Sequence, residues 1–300
     1  MFLFAEEAHE APLLVQFVNH YLGEPVYNFQ VAYTKPIWTA FFAKFGTTPE
    51  AVFGAEYSPE NAIPWYTIMF VIACLLTVFV VWLLKGKLSA DDPKSGQLTL
   101  EAGYLAVQDM VGSIIGDHGA RHFPVVATFA VLILVSNLMG QFPMFMSPTA
   151  SVNVTYALGV SSFVYYNAIG IGENGLLGHL KHFAGPKLPF FIALIVTPLI
   201  FVIELISNSI RPFTLGVRLF ANMFSDEKVF EQITNLAPPF THYAVPLVLT
   251  LLGVFVAFVQ AFVFTLLSMI YLGEVTHAPH DHHDEEHAHE PAGEAAVAHA

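Results

Sequence analysis

Residues 187–235 read KLPFFIALIVTPLIFVIELISNSIRPFTLGVRLFANMFSDEKVFEQITN and contain no loop-like break. As one helix the segment would be about 73 Å long at 1.5 Å per residue, whereas the hydrocarbon core of a bilayer is about 30 Å thick. The segment therefore crosses as one steeply tilted helix or breaks near Arg211 and Pro212 into two spans. The second of two spans would carry Arg218 and further charges, so we expect one long tilted helix, bent near Pro198 or Pro212.

The composition places the whole chain in a membrane. Apolar residues make up 55% of the 300 residues and charged residues 12%, with a mean hydropathy of +0.59, which excludes an ordinary soluble globule. The net charge of −13 comes mostly from acidic residues near the two ends, and no basic patch indicates nucleic acid. The single cysteine, Cys74, excludes an internal disulfide framework. The start, MFLFAEEAHE, lacks the basic region of a secretory signal peptide.

Further apolar stretches predict an all-α membrane protein of five to six helices. Residues 97–117 have spaced apolar positions interrupted by Glu101, Gln108 and Asp109, which predicts an amphipathic helix lying on the membrane surface. Two of the spans, separated by the short turn 147–151, should form a tight helical hairpin, and the last two helices should be long and strongly tilted. By length and lack of charge, the predicted spans besides 187–235 are 65–84, 123–146, 152–171 and 243–272.

Lysine and arginine placement predicts the orientation. The loops 85–122 and 172–187 carry most of the basic residues outside the spans, which puts both loops in the cytoplasm. The N-terminal segment 1–64 is then extracytoplasmic, 65–272 is the membrane domain, and 273–300 is a cytoplasmic tail. This tail contains seven histidines among acidic residues, a composition that suits solvated disorder better than a metal site.

One face of the long helix is polar. At 100° per residue, five side chains share a sector about 80° wide, and the other sectors are mainly apolar. A charge at mid-membrane costs about 2.5–3.5 kcal/mol, so Arg218 indicates an ion or proton pathway. The alternatives are a structural seam to a neighbouring helix, or an arginine that snorkels to the interface. On the last helix Gln260 is the strongly polar position that could lie near Arg218. The polar face comprises Glu204, Asn208, Arg211, Arg218 and Asn222.

Four stretches carry a family resemblance. RPFTLGVRLFANMF (211–224) and VQAFVFTLLSMIYLGE (259–274) closely resemble subunit a of F-type ATP synthases. SNLMGQFP (136–143) and PTASVNVTYALGV (148–160) resemble the helical hairpin of the same family. The likeness covers about residues 85–300, and the pairing of the first two motifs at this separation is specific.

The resemblance implies roles for individual residues. Arg218 matches the essential arginine of the family, Asn222 and Gln260 match its nearby amides, and Glu227 matches a half-channel carboxylate. Glu204 matches a polar residue on the cytoplasmic side, where Asn208 and Arg211 would join it. The outer half-channel would be lined by Glu227, Asp226 and Glu231.

The chain departs from the family pattern at three positions. Ser151 replaces an aspartate found in many members, Asp226 stands where some members have glycine, and Gly253 stands where some have histidine. The outer half-channel would therefore use an Asp226–Glu227 pair, and repulsion between adjacent carboxylates should make one of them hold its proton more tightly.

The resemblance implies a proton-translocating stator subunit of the bacterial inner membrane. It would form two offset half-channels against a rotating c-ring, so that proton flow drives rotation and ATP synthesis. Its partners would be that ring, the b subunits of the peripheral stalk and membrane lipid, with H⁺ rather than Na⁺ as the ion.

The resemblance implies no cofactor, metal or nucleic acid, and the absence of a GxxxxGK[ST] motif predicts no catalytic site in this chain. The alternative function is a secondary transporter or antiporter with an intramembrane arginine at an ion or anion site. No inverted repeat supports that alternative.

Overall fold

The computed structural model describes residues 12–44, 46–48, 58–59, 62–89, 91–142, 145–182, 190–236 and 244–276, and within these ranges it contains helices and no strand. The prediction of an all-α fold is thus confirmed. A π-helical turn, Gln30–Thr34, separates the first two helices, and short 3₁₀ turns, Asp117–His122 and Pro148–Ala150, precede α5 and α6. The helices are α1 Leu13–Phe29, α2 Lys35–Ala43, α3 Trp65–Lys85, α4 Ser95–Ile115, α5 Phe123–Met139, α6 Val152–His182, α7 Phe190–Leu236 and α8 Ala244–Thr276.

Among the described residues, four segments are long and apolar enough to cross a membrane: Trp65–Lys85, Gly119–Met139, Val196–Phe230 and Leu247–Thr276. Each overlaps a predicted span. The helix α6 is not among the four, although it includes the predicted span 152–171, so its crossing stays a prediction. Polar side chains along this helix, such as Asn153 and Asn167, lower its hydropathy.

The long segment forms one helix, as predicted. The helix α7 runs for 47 residues from Phe190 to Leu236 and continues through Pro198 and Pro212 without a break. At 1.5 Å per residue its length is about 70 Å, more than twice the thickness of a hydrocarbon core. A strong tilt therefore remains the expectation for this helix.

The two arms of the hairpin, α5 and α6, do not pack closely against each other. The chain does reverse direction at 140–151, but α5 and α6 pack along α8 far more than against each other. Phe129 of α5 pairs with Phe264 of α8, and the Ser162 hydroxyl of α6 donates a hydrogen bond to the Ser268 hydroxyl of α8 at 2.9 Å. The two arms of the hairpin therefore bury their apolar faces on α8 rather than on each other.

The helix α8 is central to the core. Its Phe264 packs in one buried cluster with Leu215 and Leu219 of α7, and its Met269 and Leu272 belong to a second cluster. The predicted surface helix forms α4, which packs on α3 and α8 and ends where Gly116 adopts a φ of 79°. Its position on a membrane surface stays a prediction.

The N-terminal segment differs from its prediction, and two other segments cannot be compared because they lie outside the described residues. The segment 1–64 was assigned no helix, yet residues 13–43 are helical. The histidine-rich tail beyond Thr276 lies outside the described residues, as do 183–189 at the predicted start of the long helix.

Glycines set the spacing between α6 and α7. A β-carbon at Gly159 of α6 would lie 2.5 Å from the carbonyl oxygen of Pro212, and one at Gly216 of α7 would lie 3.0 Å from that of Thr155. A side chain at either position would collide with the backbone of the other helix. The two helices therefore approach closely only because both residues are glycine.

We expect Gly159→Val to destabilise the fold by about 1–3 kcal/mol, because the new methyl groups overpack a backbone contact that cannot yield. The matched control is Gly172→Val in the same helix, where a β-carbon has no atom within 4 Å. Thermal unfolding of the purified chains in detergent would compare them. Equal loss of stability in both variants would show that helix propensity, not the α6–α7 contact, dominates.

Candidate functional site

Arg218 lies on the outward surface of α7. The buried side of this helix is formed by Leu215, Leu219 and Met223, which are each at most 3% exposed. Arg218 itself is exposed on this helix. Large exposed apolar side chains lie about 100–140° from it around the helix, namely Phe213, Val217 and Phe224. Within the described part of the chain Arg218 forms no hydrogen bond or ion pair. The described residues therefore leave the charge of Arg218 uncompensated.

A pair of amides lies one helical turn from this arginine. The Asn222 Nδ2 donates a hydrogen bond of 2.6 Å to the Oε1 of Gln260 on α8, and Gln260 is almost completely buried. Gln260 was predicted as a residue that could lie near Arg218. In the structure it contacts Asn222, four residues along from Arg218, so α7 and α8 are held together one turn from the charge.

A third group lies further along α7. The Gln141 side chain, after the end of α5, donates a hydrogen bond of 3.3 Å to the Oδ2 of Asp226. A β-carbon at Gly253 of α8 would lie 2.5–2.8 Å from the side chains of Gln141 and Asp226. The glycine at 253 therefore leaves the space in which this amide–carboxylate pair meets.

Glu227 is half-buried beside Asp226, and the side chain of Glu231 lies outside the described residues. Gln141 was missed as a site residue, although it falls within a stretch that carried the family resemblance. Its pairing with Asp226 joins residues 85 positions apart and could not be read from either segment alone.

Arg211 has a fully different environment from Arg218. Its Nη1 and Nη2 donate to the two carboxylate oxygens of Glu274 at 2.6 and 3.0 Å, and Nη2 also donates to Glu204 at 3.2 Å. The guanidinium carbon lies 4.9 Å from the ring centroid of Tyr271. Two carboxylates and an aromatic face compensate this charge, so Arg211 fastens α7 to the end of α8.

The sequence analysis missed Glu274. A helical wheel of α8 contains the signal for it, because Glu274 lies about 40° and Tyr271 about 20° from Gln260 at 100° per residue. One face of α8 thus carries both Gln260 and Glu274, the two polar residues that contact α7.

Asn208 faces the interior and not the side of Arg218. It is 5% exposed, its Oδ1 accepts a hydrogen bond from the Tyr166 hydroxyl at 2.8 Å, and its Nδ2 donates to Asn167 at 3.2 Å. The Asn167 oxygen also lies 3.1 Å from the Nε2 of His179. The predicted polar face therefore divides into a buried network at Asn208, an ion-pair cluster at Arg211 and an exposed edge at Arg218.

The chain folds back at Gly175 to complete this network. Gly175 has a φ of 69° and non-helical angles inside α6, which allows the helix to change direction. The returning segment places the His179 ring over Gly170, where a β-carbon would lie 2.7 Å from the imidazole. A bulkier residue at either glycine would displace His179 from Asn167.

Comparison with known proteins identifies similar sequences. A protein-family model described as ATP synthase A chain matches residues 67–273, more than half of the chain. The chain is 40% identical over 203 residues to ATP synthase subunit a of Geotalea daltonii, a match that covers 68% of this chain and 83% of that protein. It is 39% identical over 212 residues to ATP synthase subunit a of Trichlorobacter lovleyi, covering 71% and 85%. It is 43% identical over 166 residues to ATP synthase subunit a 3 of Pelobacter propionicus, covering 55% and 68%.

We expect a double-mutant cycle of Arg211→Gln and Glu274→Gln to show a coupling of about 1.5–3 kcal/mol, the range for hydrogen bonds to charged groups. The measurement is the unfolding free energy of the chain in detergent. The control cycle uses Arg121→Gln and Glu173→Gln, which form a 2.6 Å ion pair in which the arginine is 52% exposed. That exposed pair should couple by less than about 1 kcal/mol. Equal coupling in the two cycles would mean that Arg211 is no more strongly held than a surface ion pair.

Proposed function

Because this chain belongs to the ATP synthase A chain family, we propose that it is the proton-translocating stator subunit of an F-type ATP synthase. As a member of that family it works in a complex with other ATP synthase subunits. In this proposal the chain faces a rotating c-ring, and proton flow past Arg218 drives rotation and ATP synthesis. Family membership also favours this function over the secondary transporter considered from the sequence.

The observation that carries the proposal is the charge of Arg218, which is exposed on a long and mainly apolar helix and is compensated by no described residue. A membrane-buried carboxyl on a passing ring subunit would supply the missing partner. At about 4 Å and an effective dielectric constant of 20, the attraction is about 4 kcal/mol, which favours the ionised carboxyl and releases its proton. Arginine suits this position because it stays charged and does not carry the proton itself.

Polar groups on both sides of Arg218 support two offset half-channels. Arg211 lies seven residues before Arg218 and Asp226 eight residues after it, or about 10 and 12 Å along the helix axis. On the cytoplasmic side the path would pass the carboxylates of Glu204 and Glu274. On the outer side it would pass the Asp226–Glu227 pair, with Glu231 at its mouth, and Arg218 would block direct leakage between the two.

The orientation and the partners of the chain complete the proposal. The N-terminus would face the periplasm and the C-terminus the cytoplasm of a bacterial inner membrane, in keeping with the basic loops and the bacterial relatives. The b subunits of the peripheral stalk would hold this chain still while the ring turns. Nucleotide chemistry would belong to other subunits of the complex, and the translocated ion would be H⁺ rather than Na⁺.

We expect Arg218→Ala to abolish ATP-driven acidification of inverted vesicles that contain the assembled complex. Loss of about 4 kcal/mol of attraction lowers the proton-release equilibrium by a factor on the order of 10³. Arg121→Ala is the control, because Arg121 lies before α5, outside α7 and α8, and pairs with Glu173 of α6. Full acidification with Arg218→Ala in an assembled complex would contradict the proposed role.

We expect Glu227→Gln to reduce the same acidification more than Asp226→Asn does. The Asp226 carboxylate is held in place by the hydrogen bond from Gln141, whereas Glu227 is the residue that matches the half-channel carboxylate of the family. Gln141→Ala removes this bond and should make the chain more sensitive to loss of Asp226. Equal losses for the two single carboxylate variants would refute a division of roles within the pair.

A further inference from the structure

The helices α1 and α2 lie outside the region shared with the ATP synthase A chain family, which begins at residue 67. They are fastened to the chain just before α3. The Asn19 Nδ2 donates to the carbonyl oxygen of Ile63 at 3.1 Å, and the Ile63 amide donates to Asn19 Oδ1 at 3.2 Å. The Gln30 Nε2 donates to the Ala62 carbonyl oxygen at 3.3 Å. Because both backbone groups of Ile63 are used, α1 is held in one position.

These contacts fix α1 at the level where α3 begins. Val15 packs in a buried cluster with Ile68 and Met69, and α3 starts at Trp65. Met69 lies four residues into α3, which is about 6 Å along the helix axis. Tryptophan at the end of an apolar span typically lies at the membrane interface. The helix α1 therefore crosses the end of α3 at the depth of that interface.

Beyond Gln30 the helix extends away from α3 with an apolar stripe. Tyr33, Ile37 and Phe41 are 65%, 69% and 49% exposed, and they lie within about 80° of one another at 100° per residue. Trp38, beside the stripe, is 45% exposed and stacks on Phe42. Lys35 and Thr39 lie on the opposite side of the helix. A surface formed by exposed aromatic and aliphatic side chains such as these fits an apolar environment.

The charges near the stripe indicate what covers it. Residues 31–48 contain two lysines, Lys35 and Lys44, and no acidic residue. With the stripe facing the acyl chains, Lys35 on the opposite side of the helix can reach the phosphate groups of phospholipids, and tyrosine and tryptophan favour the same interfacial depth. The stripe also belongs to a helix whose attachment point lies at the beginning of a membrane span.

We propose that α2 lies in the headgroup region of the bilayer, on the side where α3 begins, with the stripe Tyr33–Ile37–Phe41 inserted toward the acyl chains. The occupant of this surface is phospholipid, with the lysines at the level of the phosphates. Such a helix would brace the first span against rotation within the membrane plane. This proposal goes beyond the proposed function and does not depend on proton translocation.

The test measures the depth of single spin labels in the assembled complex, reconstituted in vesicles of neutral and anionic phospholipid. A Cys74→Ser background carries Ile37→Cys, Phe41→Cys or, as the matched control, Thr39→Cys. We expect the ratio of oxygen to water-soluble nickel accessibility to be several-fold higher at 37 and 41 than at 39. High nickel accessibility at all three positions would overturn the proposal, and so would labels at 37 and 41 that neither reagent reaches, since a protein partner would then cover the stripe.

A second measurement leaves α2 unchanged. With Trp65→Phe and Trp82→Phe, Trp38 becomes the only tryptophan in the chain. We expect its fluorescence in vesicles of the isolated full chain to be quenched more by lipids brominated near the headgroup than by lipids brominated near the chain ends. Quenching by aqueous iodide without quenching by either brominated lipid would overturn the proposal.

Discussion

A charged side chain within an apolar span requires a compensating group, and α7 meets this requirement in two different ways. Arg211 finds Glu204, Glu274 and the ring of Tyr271 within the same chain. Arg218, two turns further along, finds no such group among the described residues and faces outward. A mid-membrane charge costs about 2.5–3.5 kcal/mol, and within the described residues this cost is offset for Arg211 and not for Arg218.

The helix α8 is the element that makes this division possible. It packs against α5, α6 and α7, and one of its faces carries both Gln260 and Glu274 toward α7. The amide contact holds the two helices together beside Arg218, and the ion pair holds them together at their far end. An exposed arginine keeps a defined position only if the buried side of its helix is packed firmly against another helix.

Sequence reasoning found the parts of the site that depend on one helix, and it failed where two helices meet. The helical wheel of α7 placed Asn208 with Arg218, but packing turns Asn208 inward to Tyr166 and Asn167. Gln141 and Glu274 were missed because their partners lie 85 and 63 residues away. The two arms of the predicted hairpin likewise pack on α8 more than on each other, a contact that neither segment reveals alone.

The sequence by itself determined the helical class, the approximate spans, the single long helix and the presence of Arg218 within it. These features follow from local hydropathy, from the 3.6-residue period and from motifs within single segments. Only the tertiary structure decided which polar residues are buried, that Arg211 is paired whereas Arg218 has no partner in the described part of the chain, and that Gly253 makes room for Asp226. Such outcomes depend on contacts between distant segments, because compensation of a charge is a property of its surroundings and not of its own helix.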